Sequence, residues 1–270
     1  MPLRRMRWDG TLRALDAIWV GGYVKTVSGE FVYLPAPLDF QARRFLKGED
    51  QIPGPMLRHL PPGGVAFDVG ANLGEWTLAM ARAAGPDGRV FAFEPNPVIA
   101  DALIRTLNIN NLRQVELHRC ALSSVNGTAD FILSRANGGE SRLGKALPSD
   151  GAASVPTRTL DSVVEQSKIS RLDLIKIDVE GHEHFVLEGA VKTLIRFQPA
   201  IVIESGHESA VDREAAAKLL ETTGYAEGTV LVDNSAFPIT LADYRNATGA
   251  CAGIGSQNIF LLPAGRSRTV

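Results

Sequence analysis

Cysteine is scarce in this chain of 270 residues: there are two, Cys120 and Cys251. That is too few for a disulfide framework and suits a reducing compartment. Long apolar runs are missing as well, and nothing approaches the roughly 18 residues that a membrane-spanning helix needs. Neither charge sign predominates, with 28 Lys and Arg against 30 Asp and Glu. No strong field therefore draws nucleic acid or an anionic membrane. The basic start at Arg4, Arg5 and Arg7 is short, and no basic stripe interleaves with aromatics. The apolar stretch Thr11–Val20 is broken by Arg13 and Asp16, which makes a poor signal-peptide core. The expectation is a cytoplasmic enzyme with no membrane span and no nucleic-acid partner; self-association into a homo-oligomer is left open.

What the chain does have is organised around Val65–Pro97. Val65-Ala66-Phe67 predicts a buried strand ending at Asp68. It breaks into Gly70-Ala71-Asn72-Leu73-Gly74, a turn whose glycines let backbone lie close to a ligand. Glu75–Ala84 then reads as a helix stopped by Gly85-Pro86-Asp87-Gly88, and Arg89–Phe93 as a second strand ending on Glu94. Strand, glycine turn, helix, strand and acid make the first half of a nucleotide-binding βαβ unit. A dinucleotide fingerprint would want glycines at 72 and 75, where Asn72 and Glu75 stand, and Glu75 would repel a pyrophosphate at the helix start. S-adenosylmethionine carries no phosphate. An acid before the turn (Asp68) and a carboxylate on the second strand for both ribose hydroxyls (Glu94) suit it. Asp-x-Gly-x-Asn-x-Gly resembles the first motif of class I S-adenosylmethionine-dependent methyltransferases. The rival readings are an NAD-linked oxidoreductase and a non-catalytic nucleotide-binding module.

Residues 1–60 read as an N-terminal extension and 61–270 as the catalytic domain. Within the extension, Thr11–Val20 predicts a helix, Tyr23–Leu34 a hairpin turning at Ser28-Gly29, and Phe40–Lys47 and Pro55–Leu60 two more helices. Beyond Glu94, Val98–Asn108 is helical in period and Gln114–Ser123 a third strand. Its end would place Cys120 and Ala121 against an adenine. Thr128–Leu133 and Ala153–Thr159 read as extended around a polar loop, 134–151, in which Arg135, Asn137, Glu140 and Arg142 are candidate substrate contacts. A short helix, Leu160–Gln166, leads to Leu172–Asp178, a strand ending on an acid. His184–Arg196 carries one helical stripe, and Pro199–Glu204 is another strand ending on an acid. Asp68, Glu94, Asp178 and Glu204 are thus expected at four parallel strand ends, a set that favours a cationic, hydroxyl-rich ligand. Asp212–Thr223 predicts a helix, and Tyr225–Val232 with Gln257–Leu262 an antiparallel final pair. Between them the long loop 233–256 would border the acceptor through Tyr244, Arg245 and Asn246.

Asp-Val-Gly-Ala-Asn-Leu-Gly-Glu-Trp-Thr from Asp68, Thr159-Leu160-Asp161, Ile175-Lys176-Ile177-Asp178-Val179-Glu180-Gly181-His182-Glu183 and Leu187-Glu188-Gly189-Ala190 together resemble the FkbM family of methyltransferases, over about residues 50–263. The resemblance implies an α/β, Rossmann-like class I methyltransferase fold, a doubly wound and mostly parallel sheet with an antiparallel final strand. It also implies S-adenosylmethionine as donor and O-methylation of a small-molecule or glycan hydroxyl. Carried onto this chain, Asp68, Gly70, Asn72 and Gly74 line the cofactor turn, joined by Ala71, Thr77 and Pro95. Glu94 holds the ribose and Asp178 faces the methionine end.

Methyl transfer is an in-line displacement, so holding the acceptor oxygen collinear with the methyl carries much of the catalysis. A sugar hydroxyl is a poor nucleophile until its proton leaves, which calls for a nearby base. His207, His182, Glu180 and Glu183 are the candidates, with Asp178 beside them. A divalent cation on Asp178, Glu204 and His207 would be another way to acidify the hydroxyl; the spacing requires none, and no metal is expected.

Overall fold

The computed structural model describes residues 19–38, 40–48, 52, 54–133, 142–143, 151–232, 235–252 and 257–264. The expectations for residues 11–18 and for Arg135, Asn137 and Glu140 lie outside these. The central sheet has eight strands: β3 (Val65–Val69), β4 (Arg89–Phe93), β5 (Val115–His118), β10 (Leu174–Ile177), β11 (Ala200–Ser205), β12 (Tyr225–Val232), β13 (Ser235–Thr240) and β14 (Gln257–Pro263). Their order across the sheet is β13-β12-β14-β11-β10-β3-β4-β5. The five strands from β5 to β11 are parallel. β14 inserts antiparallel between β11 and β12, and β13 pairs antiparallel with β12. The chain starts in mid-sheet at β3, winds out to β5, and returns to the other side of β3 as β10. That reversal leaves a crevice at the carboxyl ends of β3 and β10, where a doubly wound sheet binds its ligand.

Both faces of these strands are covered, which is why they read as near-continuous apolar runs. Phe67, Val69, Phe91, Phe93, Ile175, Ile177, Ile201 and Ile203 pack on one face against α5 (Leu160–Gln166), α6 (Glu183–Glu188), α7 (Val191–Phe197) and α8 (Ala210–Thr222). Ala66, Val90, Leu174 and Val202 face the other way, toward Trp76, Met80 and Ala84 of α3 (Glu75–Ala84). α4 (Pro97–Ile109) lies on the same side, started by Asn96, whose side chain accepts from Val98 N.

The hairpin of β1 (Gly22–Lys25) and β2 (Phe31–Leu34) forms as expected. Its Val32 and Leu34 join Phe45 of α1 (Phe40–Lys47) in a cluster with Leu73, Leu78, Ile99 and Ala102. Tyr33 N donates to Thr106 Oγ1 and Phe31 N to Asn110 Oδ1, so the hairpin is stitched along α4. The expected helix at 55–60 shrinks to α2 (Gly54–Leu57).

Several boundaries differ from the sequence reading. The third strand is cut at β5. Cys120 is a junction, and β6 (Ala121–Leu122) joins a second sheet with β9 (Gly151–Arg158), β7 (Gly127–Leu133) and β8 (Arg142–Leu143), in the order β6-β9-β7-β8. Arg142 is exposed on β8. The single helix expected over His184–Arg196 is two, broken at Gly189. A Cβ there would stand 2.2 Å from the Ser123 carbonyl oxygen, so the close approach of the β6 loop demands a glycine. The new start at Val191 is capped from another element. Asp161 Oδ1 accepts from Thr193 N at 2.8 Å and Thr193 Oγ1 at 2.6 Å, and Oδ2 from Lys192 N at 3.2 Å. Asp161→Ala strips those donors and should cost about 1–2 kcal/mol in urea unfolding, with the unfolding slope unchanged.

The loop expected at 233–256 holds β13 and α9 (Leu241–Asn246), with Thr240 and Asp243 forming a capping box. Tyr244 is buried in the main core, and Arg245 reaches Glu214 at 3.0 Å and Glu221 at 2.6 Å on α8. These two side chains tie α9 to α8, which corrects their reading as acceptor contacts.

Candidate active site

Pairing of Val69 with Phe93 and Ile177, and of Ile177 with Ile203, puts Gly70, Glu94, Asp178 and Glu204 level at the rim of the sheet. Asp68 is not level with them. It lies inside β3, paired in register with Lys176, fully buried on the α3 side. There Thr77 Oγ1 donates to Asp68 Oδ2 and Lys176 Nζ lies 3.5 Å from Oδ1. Four acids at four tips thus become three acids and a glycine, with Asp68 supporting the turn from below.

The turn has spent its own donors. Gly70 N and Ala71 N both donate to Phe93 O, at 3.1 and 3.0 Å; Gly74 N donates to Ala71 O at 2.9 Å. Asn72 N donates to Glu94 Oε2 at 2.8 Å, and Leu73 N to Asn72 Oδ1 at 2.8 Å. Five consecutive N–H groups are satisfied within the protein, so no nest is left for a diphosphate, which binds through bare backbone donors. The glycines serve packing. A Cβ on Gly70 (φ 78°) would sit 1.9 Å from Asp178 O, and one on Gly74 (φ 99°) 2.6 Å from Leu103 Cδ1. Glu75, expected to repel phosphate, is gripped by Arg44 of α1 through two 3.1 Å contacts.

Glu94 is 6% exposed and clamps two segments, Oε2 accepting from Asn72 N and Oε1 from Asn96 N at 2.8 Å. Burial pushes its pKa up to about 7, against those two hydrogen bonds and the Lys176 charge. Each oxygen keeps a lone pair for a further donor. Gly70, Asn72, Pro95 and Asp178 are partly exposed around it, while Ala71, Gly74, Thr77, Cys120 and Ala121 are buried behind. Burial also pushes the Cys120 thiol up to about 11, so it stays protonated. The rim therefore presents acceptors, which fits a ligand made of ribose hydroxyls, an ammonium and a sulfonium.

Beyond β10 the chain turns through Asp178-Val179-Glu180-Gly181, with Glu180 at φ 56° and Gly181 at φ 93°. Glu183 Oε1 holds this turn, accepting from Val179 N at 3.1 Å and Gly181 N at 3.2 Å. That makes Glu183, a base candidate in the sequence, a buried cap. Burial lifts its pKa to about 7. The folded state therefore keeps a proton that the unfolded chain releases from about pH 4.5 upward, so stability drops as pH climbs through that window. Glu183→Gln, whose carbonyl still accepts, should gain on the wild type by on the order of 3 kcal/mol between pH 4.5 and 7 in denaturant unfolding.

His182 Nε2 meets Ser123 Oγ at 3.0 Å, and its ring packs on Phe185 at 4.4 Å. Burial drives its pKa down to about 4. His207 is more open, with 41% of its side chain exposed, and its Nδ1 lies 3.4 Å from Glu180 Oε2. Its loop is fixed by Glu208, which accepts from Ser205 Oγ and Gly206 N at 2.6 Å and from Arg213 Nε at 2.7 Å. Ligand atoms of Glu180, Glu204 and His207 lie within 4.8 Å of one another. This grouping differs from the set weighed in the sequence, because Asp178 is turned to Lys176 at 3.4 Å. Lys176, which the sequence reading passed over, is the buried cation under the whole arrangement. A lysine between Ile175 and Ile177 in a strand covered on both faces was the available signal, since such a charge needs carboxylates nearby.

The family model for the methyltransferase FkbM domain matches residues 68–225. Hexuronic acid methyltransferase AglP of Haloferax volcanii is 32% identical over 180 residues, covering 66% of this chain and 70% of that protein. Methyltransferase sdnD of Sordaria araneosa is 30% identical over 199 residues, covering 63% of this chain and 76% of its own. The 2-O-methyltransferase NoeI of Sinorhizobium fredii is 33% identical over 150 residues, covering 50% and 60%. Among solved structures, methyltransferase FkbM from Methylobacillus flagellatus is 18% identical with a TM-score of 0.48, covering 73% of this chain and 43% of that one. Among the described residues no helix is long and apolar enough to cross a membrane. The chain belongs to the FkbM methyltransferase family, and is a methyltransferase enzyme.

Proposed function

We propose that the protein methylates a hydroxyl oxygen of a sugar or related small molecule, with His207 as the base. The observation that carries the donor half is the turn with all five N–H groups spent beside a buried carboxylate that keeps lone pairs open. It favours a hydroxyl-rich cation and disfavours an NAD-linked oxidoreductase. The acceptor class rests on relatives named for a hexuronic acid and for a 2-O position. Free Cys120 and Cys251 support a reducing compartment such as the cytoplasm.

S-adenosylmethionine supplies an electrophilic methyl on a sulfonium. Glu94 accepts from the ribose hydroxyls and Asp178 faces the amino-acid end. His207 Nε2 takes the acceptor's hydroxyl proton as the oxygen–methyl bond forms and the carbon–sulfur pair stays on sulfur. Glu180, 3.4 Å from Nδ1, orients the ring and steadies the imidazolium. The test is transfer of radiolabelled methyl from S-adenosylmethionine to a panel of hexuronic acids, hexoses and their glycosides, beside titrations with S-adenosylhomocysteine and NAD. Labelled ether on a sugar, with binding of the homocysteine product and none of NAD, is expected. Binding of NAD alone would discard the reading.

A further inference from the structure

Lys176 is 2% exposed, in the middle of a four-residue strand. Its ammonium donates to the Gly70 carbonyl at 2.7 Å, and lies 3.4 Å from Asp178 Oδ2 and 3.5 Å from Asp68 Oδ1. Those three partners come from the two segments that meet at the switch point of the sheet, Asp68 and Gly70 from β3 and its turn and Asp178 from the end of β10. Asp68 is fastened in turn to Thr77 of α3. Asp68 Oδ1 has no hydrogen-bond partner among the described residues, so the lysine is its compensation. Burial pulls the ammonium toward neutrality, but Asp178, Asp68 and Glu204 outweigh it and hold it charged. A buried lysine that only neutralised one aspartate would not need a backbone carbonyl of the ligand turn as well.

We infer that Lys176 is the positioning residue of the donor site, fixing the Gly70 peptide and the Asp178 carboxylate at the separation that a single ligand must span. It touches no ligand itself. Apart from it, the turn and the β10 loop are joined at this level by the hydrogen bond that Asp178 N donates to Val69 O at 3.1 Å and by close packing at Gly70, where a Cβ would stand 1.9 Å from Asp178 O. The role rests on reading Glu94 and Asp178 as the two ends of one donor site.

The test uses Lys176→Met and the double variant Lys176→Met/Asp68→Asn, which also removes the acid left uncompensated below. Folding is checked by circular dichroism and thermal unfolding, binding by calorimetric titration with S-adenosylhomocysteine, and turnover by methyl transfer. The double variant should fold yet bind the probe at least about tenfold more weakly than wild type. Its KM for S-adenosylmethionine should rise while kcat at saturation stays within about threefold, a split that general loosening would not give. A folded double variant with wild-type affinity, or a loss confined to kcat, overturns the role. So does failure of both variants to fold, which would make the clamp structural alone. Wild-type protein that binds no probe would instead sink the donor-site reading beneath it.

Discussion

Glu94→Gln should weaken binding of S-adenosylhomocysteine by roughly 10²–10⁴-fold at about pH 8, since hydrogen bonds to a charged group are worth about 1.5–3 kcal/mol each and two ribose hydroxyls are at stake. The amide also disrupts the protein's own wiring. Glu94 accepts from Asn72 N on one oxygen and from Asn96 N on the other. Glutamine keeps one acceptor and turns an NH₂ toward the second donor, so one of those N–H groups loses its partner and the turn slackens. The wild type should carry a pH signature that the variant lacks. The buried carboxyl has a pKa of about 7. Ribose hydroxyls donate to the ionised form, so binding releases a proton and tightens as pH rises through that value. Titrations in two buffers of different ionisation enthalpy would count the proton. An amide variant with affinity within about threefold of wild type would remove Glu94 from the site.

The frame that places Glu94 was partly legible in the sequence. Val65–Phe93 could be read because strand, turn and helix each announce themselves locally: a short apolar run, glycines, then a helical period. The doubly wound, mostly parallel sheet and its antiparallel closing strand are those expected. What could not be read was long-range. Gly189 looks like a pause in one amphipathic stripe, and only the approach of the Ser123 carbonyl makes it a break. Cys120 and Ala121 follow β5 without a break in pattern, yet β6 pairs with β9, because register belongs to the partner strand. Asp68 looks like a tip because a glycine follows closely, but β3 runs one residue further and turns its carboxylate inward. The same inward turn hides Lys176. Its pairing with Asp68 across β3 and β10 joins residues more than a hundred positions apart. Of the two histidines, residue type gave no preference; burial separates them.

Those histidines supply the second large effect. His207→Ala should lower kcat by roughly 10²–10⁴-fold, the usual worth of a positioned base. KM for S-adenosylmethionine should stay within about threefold, because in the proposed arrangement the ring serves the acceptor hydroxyl and holds no part of the donor. His182→Ala should behave in the opposite way. Its Nε2 is engaged with Ser123 and its half-buried ring packs on Phe185, so its loss should cost stability by about 1–3 kcal/mol while kcat falls less than about fivefold. With a pKa of about 4 it also stays neutral through the working range and contributes no limb to the pH–rate profile. Glu180→Gln separates orientation from charge. The amide oxygen can still accept from Nδ1, but the imidazolium formed during transfer loses its counter-charge, so kcat should fall modestly while KM for S-adenosylmethionine stays within about threefold. If His207→Ala kept more than about a tenth of wild-type kcat, the proton would be leaving by another route. The base would then have to be sought among Glu180 and Glu204, the other groups whose oxygens share that corner of the rim.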